Sequence, residues 1–401
     1  MHHKEPPMKN HPTGETRLTV MQHSLTKSIG EVSSILRSVQ TDRLFLVVDE
    51  PAWQASGAKE ALEPQFRQRA TTWFTDFELN PKLEDVERGI EAYRECQPDL
   101  VIALGGGTAI DLAKLIGSLA VQAASARDIA TGRASIESTG KSLMAIPTTA
   151  GTGSEATHFA VVYVDGEKYS VAHPSLLPRY AVVDSRLTAS LPKRITAATG
   201  LDAFCQAIES MWSVAATEES MRYATDAVRL AFGNLVTATN SPTPETREAM
   251  SRASHLAGKA INITKTTAPH ALSYALTSRH GVPHGMAVAI TLTSMLAFNA
   301  EVTDEDCNDP RGADAVRDRI ARILSGLGTD NIEDASASIK SLLTQINCPT
   351  TFDSVGIQTS DELKYIVDSV NAERLSNNPR RASQSQLFHL LQTIQRNTVT
   401  K

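Results

Sequence analysis

One carboxylate, two imidazoles and an amide oxygen are spaced in this chain so that together they could hold a divalent metal. Asp202 and Gln206 stand four residues apart in a stretch with helical periodicity, so both project from one face. His270 and His284 lie fourteen residues apart and flank a loop containing Gly281-Val282-Pro283. Such oxygen and nitrogen donors can bind a divalent ion while leaving a position open for a substrate oxygen. Taken singly, each histidine is more simply read as a hydrogen-bonded core residue, so the metal reading needs support from elsewhere.

A second group of residues suits a nucleotide. Gly105-Gly106-Gly107-Thr108 follows an apolar run and opens a helix. Glycines there let the backbone approach a pyrophosphate, and the helix N-terminus offers free N–H donors. The run is neither GxGxxG nor a P-loop, and many tight strand-to-helix turns are glycine-rich. Asp49 closes the run Leu44 to Val48. A carboxylate there accepts hydrogen bonds from a ribose 2'-hydroxyl and repels a 2'-phosphate, which favours NAD(H) over NADP(H). A helix N-cap is its alternative role. Pro147 to Glu155, rich in threonine and glycine, follows another apolar run and can line a cofactor cleft without filling it.

The elements that must position these groups fall into two textures. Apolar runs at 44–48, 100–104, 142–146, 160–164 and 181–183 alternate with helical stretches such as 83–96 and 109–121. That pattern implies βαβ units and a parallel sheet. Beyond about residue 195 only helical periodicity is found, at 197–212, 218–240, 244–262, 286–299, 313–327, 332–346 and 361–370. The expected organisation is a mobile N-terminal tail (1–17), a nucleotide-binding α/β domain (18–192) and an all-α metal- and substrate-binding domain (193–401), divided near Leu191-Pro192.

Composition narrows the partners. A formal net charge of −6 carries no polybasic footprint, so neither nucleic acid nor an anionic membrane is an expected partner. Four widely spaced cysteines, with no CxxC pair, read as reduced thiols. The polar start lacks a signal-peptide core, and no run of ~18 apolar residues reads as a membrane span. A soluble cytoplasmic enzyme is expected.

In order and spacing, several motifs resemble the iron-containing (group III) alcohol dehydrogenases, which include glycerol dehydrogenases and maleylacetate reductases. They are Gly105 to Thr108 with Asp111 and Lys114, Pro147 to Glu155, Thr199-Gly200-Leu201-Asp202-Ala203, and Pro283-His284-Gly285. The resemblance covers about residues 20 to 395. It implies a Rossmann-like parallel-sheet domain followed by an all-α domain, the architecture shared with dehydroquinate synthase. It further implies NAD(P) in the cleft, a divalent metal near the nicotinamide (Fe2+ by default, Zn2+ in relatives) and a homodimer. Carried over by motif, Asp49 meets the adenosine ribose, and Gly106, Gly107 and Thr108 meet the pyrophosphate. Asp111, Thr148, Thr149, Thr152, Lys168 and Leu187 lie along the cofactor, and Asp202, His270 and His284 ligate metal. Two departures stand out: Gln206 replaces the usual histidine, and Tyr274 stands where many relatives have another.

The implied reaction is hydride transfer between nicotinamide and a carbonyl or carbinol carbon, with His270 at the metal. Tyr274, or a water chain through the cofactor ribose, carries the proton. Lys265 and Arg279, each five residues before a histidine ligand, could recognise a small anionic aldehyde, or could be solvated or in ordinary ion pairs. His158 and Phe159 complete the expected substrate contacts. The wording around Gln206 and Lys265 to Tyr274 resembles the phosphonoacetaldehyde reductase branch, which forms 2-hydroxyethylphosphonate in phosphonate natural-product biosynthesis. The alternatives are a general alcohol or diol dehydrogenase, a maleylacetate reductase, a dehydroquinate synthase-like enzyme using NAD transiently, and a catalytically inactive nucleotide-binding protein.

Overall fold

Short β-branched and leucine-rich runs, buried from both sides, build the first half. The computed structural model describes residues 23–370 and 372–395, so the tail 1–17 lies outside the described residues. Strands β1 (Ser24–Thr26), β2 (Arg43–Val48), β3 (Ala70–Phe74), β4 (Leu100–Gly105), β5 (Leu143–Pro147) and β8 (Tyr180–Val182) form one parallel sheet in the order β1-β8-β5-β4-β2-β3. Side chains alternate across it. Phe45, Val47, Val101 and Ala103 pack on one face, and Leu44, Leu46, Ile102 and Leu104 on the other. Helices α1 (Val32–Ser38), α2 (Glu50–Ala55), α3 (Ala58–Phe66), α4 (Leu83–Cys96), α5 (Gly107–Leu119) and α6 (Ala126–Ala130) alternate with these strands along the chain. From β2 the chain passes to β3 on one side, and from β4 to β5 on the other. The carboxyl ends of β2 and β4 therefore bound a topological switch point, where ligands of such sheets bind.

The run 160–164 reads as a further strand of this sheet, yet β6 (Phe159–Val164) lies outside it and pairs with β7 (Glu167–Ala172) as an antiparallel hairpin. Asp165 and Gly166 join them at φ +52° and +84°, the left-handed pair that a two-residue hairpin turn requires. Alternation then assigns the faces. Ala160, Val162 and Val164 are buried, while Phe159, Val161 and Tyr163 line a cleft. Lys168, directly opposite Tyr163, shares that outer face.

Among the described residues beyond 192, regular structure is helical: α7 (Lys193–Trp212), α8 (Glu218–Asn240), α9 (Pro244–Thr264), α10 (Ala268–His280), α11 (His284–Ala300), α12 (Ala313–Leu327), α13 (Ile332–Gln345), α14 (Ser360–Asp368), α15 (Ala372–Ser376) and α16 (Gln384–Gln395). Thr217 and Thr243 cap α8 and α9 reciprocally with Ser220 and Thr246. α7 is buried without a break from Gly200 to Trp212, packed by α8, α9 and α11. It is the central post of this half. No helix among the described residues is long and apolar enough to cross a membrane, and all four cysteines are free thiols.

A buried lysine ties the hairpin to α5. Lys114 Nζ donates to Ser154 Oγ (2.9 Å), Thr157 Oγ1 (2.9 Å) and the Phe159 carbonyl (2.8 Å). It lies 3.6 Å from Asp111 Oδ1, with its own side chain inaccessible to solvent. Burial pulls its pKa down to about 8, with Asp111 and Glu155 resisting. Lys114→Met should leave Asp111 and the Phe159 carbonyl without their cation, lowering unfolding free energy by about 3–5 kcal/mol. Urea denaturation of the two proteins measures this; a loss below about 1 kcal/mol would refute it.

Candidate active site

Two helices each present a stripe of chemistry at i, i+4, i+7. From α7 come Asp202, Gln206 and Glu209, and from α10 come His270, Tyr274 and Thr277. His284 is the first residue of α11. The approach of α11 to α7 depends on Gly285, where a Cβ would fall 2.0 Å from the Ala198 carbonyl oxygen and 2.6 Å from Asp202 N. Only a residue without a side chain lets His284 reach Asp202 here.

Donor atoms of Asp202, His270 and His284 all lie within 4.8 Å of one another. His270 Nε2 is 3.3 Å from Asp202 Oδ1, and its Nδ1 is hydrogen-bonded to the Glu209 carboxylate. A carboxylate can only accept, so Nδ1 carries the proton and Nε2 faces the cluster. Glu209 Oε2 in turn accepts from Thr267 N (2.7 Å) and Thr267 Oγ1 (2.8 Å), and that hydroxyl accepts from Trp212 Nε1 at 2.8 Å. Sequence reasoning missed Glu209, although it shares the face of Asp202 and Gln206.

The charges suit a cation. Burial alone would raise the Asp202 pKa, but the His270 hydrogen bond, His284 and Lys168 outweigh it and hold the group below the usual carboxylate range. Burial lowers the His270 pKa, yet Glu209 and Asp202 raise it to about 9, so the ring is protonated near neutral pH and a bound cation would take the place of its Nε2 proton. Burial, reinforced by Lys168, pulls His284 down to about 3, so its imidazole is neutral and offers a lone pair. Gln206 supplies the plainest test of fit. Its Nε2 donates to the Thr152 carbonyl (3.4 Å), while its buried Oε1 has no hydrogen-bond partner among the described residues. A buried carbonyl oxygen costs free energy unless something binds it, and a cation beside Asp202 would do so.

The same cleft continues to the sheet. Gly107, Thr108, Asp111 and Thr152 line it together with Asp202, Gln206, His270, Tyr274, His284, Phe159 and Lys168. Gly107 opens α5 directly against Thr152, leaving 2.7 Å between Thr152 Cγ2 and any added Cβ. Thr148 Oγ1 is buried and has no hydrogen-bond partner among the described residues, and Thr149 packs by Gly106. Asp111 works as a mount: its carboxylate accepts from Ser154 Oγ and, at 2.9 Å, from Val161 N. Asp49 caps α2, accepting from Ala52 N at 3.2 Å, at the carboxyl end of β2 beside the glycine turn. Leu187 is buried in the core behind β2 and β4.

Three expected substrate contacts are not brought to this cleft. His158 turns onto Asn262, whose Oδ1 meets its backbone N at 2.7 Å and its Nδ1 at 2.6 Å. Lys265 ends α9 at φ +57°, outside the lining. Arg279 lies over the Tyr365 ring, 4.5 Å from its centroid. At about 3.6 residues per turn, nine residues from His270 is half a revolution, so Arg279 faces away from the ligand side of α10. The cations that do line the cleft are Lys168 and Arg374. Lys168 Nζ sits 3.9 Å over the Tyr274 ring, and Arg374 is hydrogen-bonded to Tyr274. Burial raises the Tyr274 pKa above the ordinary phenol value despite Arg374, so it holds its proton.

Residues 23–185 match the family described as iron-containing alcohol dehydrogenase, and residues 196–395 match its C-terminal part. The chain is 35% identical over 310 residues to phosphonoacetaldehyde reductase of Streptomyces viridochromogenes, spanning 74% of this chain and 76% of that protein. It is 33% identical over 344 residues to long-chain-alcohol dehydrogenase 1 of Geobacillus thermodenitrificans, 82% of this chain and 84% of the relative. The crystal structure of sulfoacetaldehyde reductase from Bifidobacterium kashiwanohense in complex with NAD+ superposes with TM-score 0.85 at 28% identity, covering 94% of this chain and 98% of that one.

Proposed function

The chain belongs to the iron-containing alcohol dehydrogenase family of oxidoreductases, and from that premise we propose that it reduces a small anionic aldehyde with NAD(H). The proposed reaction is phosphonoacetaldehyde to 2-hydroxyethylphosphonate, carried out by a cytoplasmic homodimer in phosphonate biosynthesis. One observation carries the reading. A donor set suited to a divalent cation shares its cleft with two side-chain cations, Lys168 and Arg374, in a chain whose net charge is −6. The likeness to phosphonoacetaldehyde reductase supports the same substrate class.

Asp202, His270 and His284, with Gln206 Oε1 as fourth donor, would hold the metal, and membership of the iron-containing family favours Fe2+ over Zn2+. When bound, the metal supplies Lewis-acid polarisation of the carbonyl oxygen, and the nicotinamide supplies hydride. Glu209 fixes the His270 tautomer and orientation. Gly106, Gly107 and Thr108 at the α5 N-terminus receive the pyrophosphate, while Asp49 takes the adenosine ribose and disfavours a 2'-phosphate. Thr148, Thr149, Thr152 and Lys168 flank the cofactor. Tyr274, kept protonated, delivers its Oη proton to the carbonyl oxygen as hydride arrives.

Steady-state NADH oxidation tests the substrate. The expected kcat/KM for phosphonoacetaldehyde exceeds that for propanal by at least about tenfold, the worth of one charge-assisted hydrogen bond. Equal turnover of the two aldehydes points instead to a general alcohol or diol dehydrogenase. Chelator-insensitive turnover of maleylacetate points to a maleylacetate reductase.

A further inference from the structure

Resting on the anionic-aldehyde reading, we infer that Arg374, and neither Lys265 nor Arg279, receives the anionic head of the substrate. α15 brings Arg374 to the cleft from far along the chain, well beyond the last histidine of the donor set. Hydrogen bonds anchor its segment. Three residues on, Asn377 Nδ2 donates to the carbonyls of Thr264 (2.7 Å) and Thr266 (3.0 Å), and its Oδ1 accepts from Ser213 Oγ (2.9 Å). Those partners bracket the turn that leads into Thr267 and His270 and the end of α7. The segment carrying Arg374 is thus tied to the two helices that carry Asp202 and His270, as a preorganised recognition group requires.

Tyr274 measures the gap between them. Its ring stacks on the His284 imidazole, with centroids 6.2 Å apart and planes 16° apart, and Arg374 is hydrogen-bonded to it. A carbonyl oxygen at the donor set and an anionic head at Arg374 are therefore separated by about one aromatic ring. That interval suits a two-carbon aldehyde ending in phosphonate, sulfonate or carboxylate, lying along the Tyr274 ring. A guanidinium also matches such heads better than an ammonium, because its planar fork binds two oxygens at once. Lys168, whose ammonium is pulled down to about 8 by burial, is partly neutral near that pH.

The experiment compares the full-length metal-loaded enzyme with its Arg374→Leu and Arg374→Lys variants. Specificity constants are measured for phosphonoacetaldehyde and propanal with saturating NADH, together with competitive inhibition by methylphosphonate. Arg374→Leu should lower the ratio of the two specificity constants by about 10- to 100-fold, through KM for the anionic aldehyde, and weaken methylphosphonate to a similar degree. Arg374→Lys should recover part of both, since charge returns without the fork. A wild-type enzyme with no preference for the anionic aldehyde sinks the substrate reading and the inference together. A wild-type preference that survives Arg374→Leu but is lost in Lys265→Ala or Arg279→Ala overturns only the inference. So does an equal loss on both aldehydes with methylphosphonate inhibition unchanged.

Discussion

Asp202→Ala is expected to cost on the order of 10³-fold in kcat/KM for aldehyde reduction and to strip the protein of stoichiometric metal. The magnitude follows from the several kcal/mol that a polarising cation contributes to a carbonyl reduction, at about 1.4 kcal/mol per decade of rate. Asp202 is the right residue to remove because it is the anion of the triad; His284 is held neutral, and the proton on His270 is stabilised by the carboxylates around it. Without Asp202, two imidazoles and an amide remain, with no anion among the donors. Metal content by elemental analysis and NADH oxidation should fall together, while circular dichroism stays that of the wild type. Full activity in a metal-depleted variant would remove the Lewis-acid role and favour a reductase working by hydrogen bonding alone. The Gln206 amide gives a second handle on the same question, since Gln206→His should tighten metal binding by replacing an amide oxygen with an imidazole.

Much of this site is legible in the residue types and their spacing, for reasons that differ element by element. Strands β2, β4 and β5 announce themselves because a parallel strand buried on both faces is apolar throughout. β3 does not, since it is a short edge strand with Thr71 and Thr72 only partly buried and Trp73 exposed. The hairpin β6–β7 carries a legible signal in Asp165-Gly166, but the apolar run of β6 imitates a strand of the main sheet. Helix α10 is hidden for the opposite reason. It is buried on most of its circumference from Ala268 to Leu276, so it shows no polar-to-apolar alternation. With α10 unmarked, Lys265 and Arg279 can be judged only by distance along the chain, and the half-turn that sends Arg279 to Tyr365 goes uncounted. Arg374 is beyond the reach of local pattern altogether. Only the packing of α15 against α10 and the Asn377 anchor place it in the cleft.

Glu209 poses the second large effect, because it sits where a change in metal affinity separates from a change in chemistry. Its carboxylate takes the His270 proton on one oxygen and the Thr267 amide and hydroxyl on the other, so it fixes the ring and raises the basicity of the nitrogen facing Asp202. Outer carboxylates of this kind typically account for 10- to 100-fold in metal affinity. Glu209→Gln should therefore weaken metal binding by about that factor in a chelator competition, since the amide either offers its N–H to Nδ1 and flips the tautomer or returns only a neutral acceptor. Saturating metal should then restore most of kcat, because Glu209 touches neither the substrate nor the cofactor. A purely structural role makes a different prediction: lowered thermal stability that added metal does not recover, with the dissociation constant unchanged. The Trp212–Thr267 hydrogen bond sharpens the distinction, as it braces Glu209 without contacting His270. Trp212→Phe keeps the packing, removes that donor, and should shift metal affinity in the same direction by less.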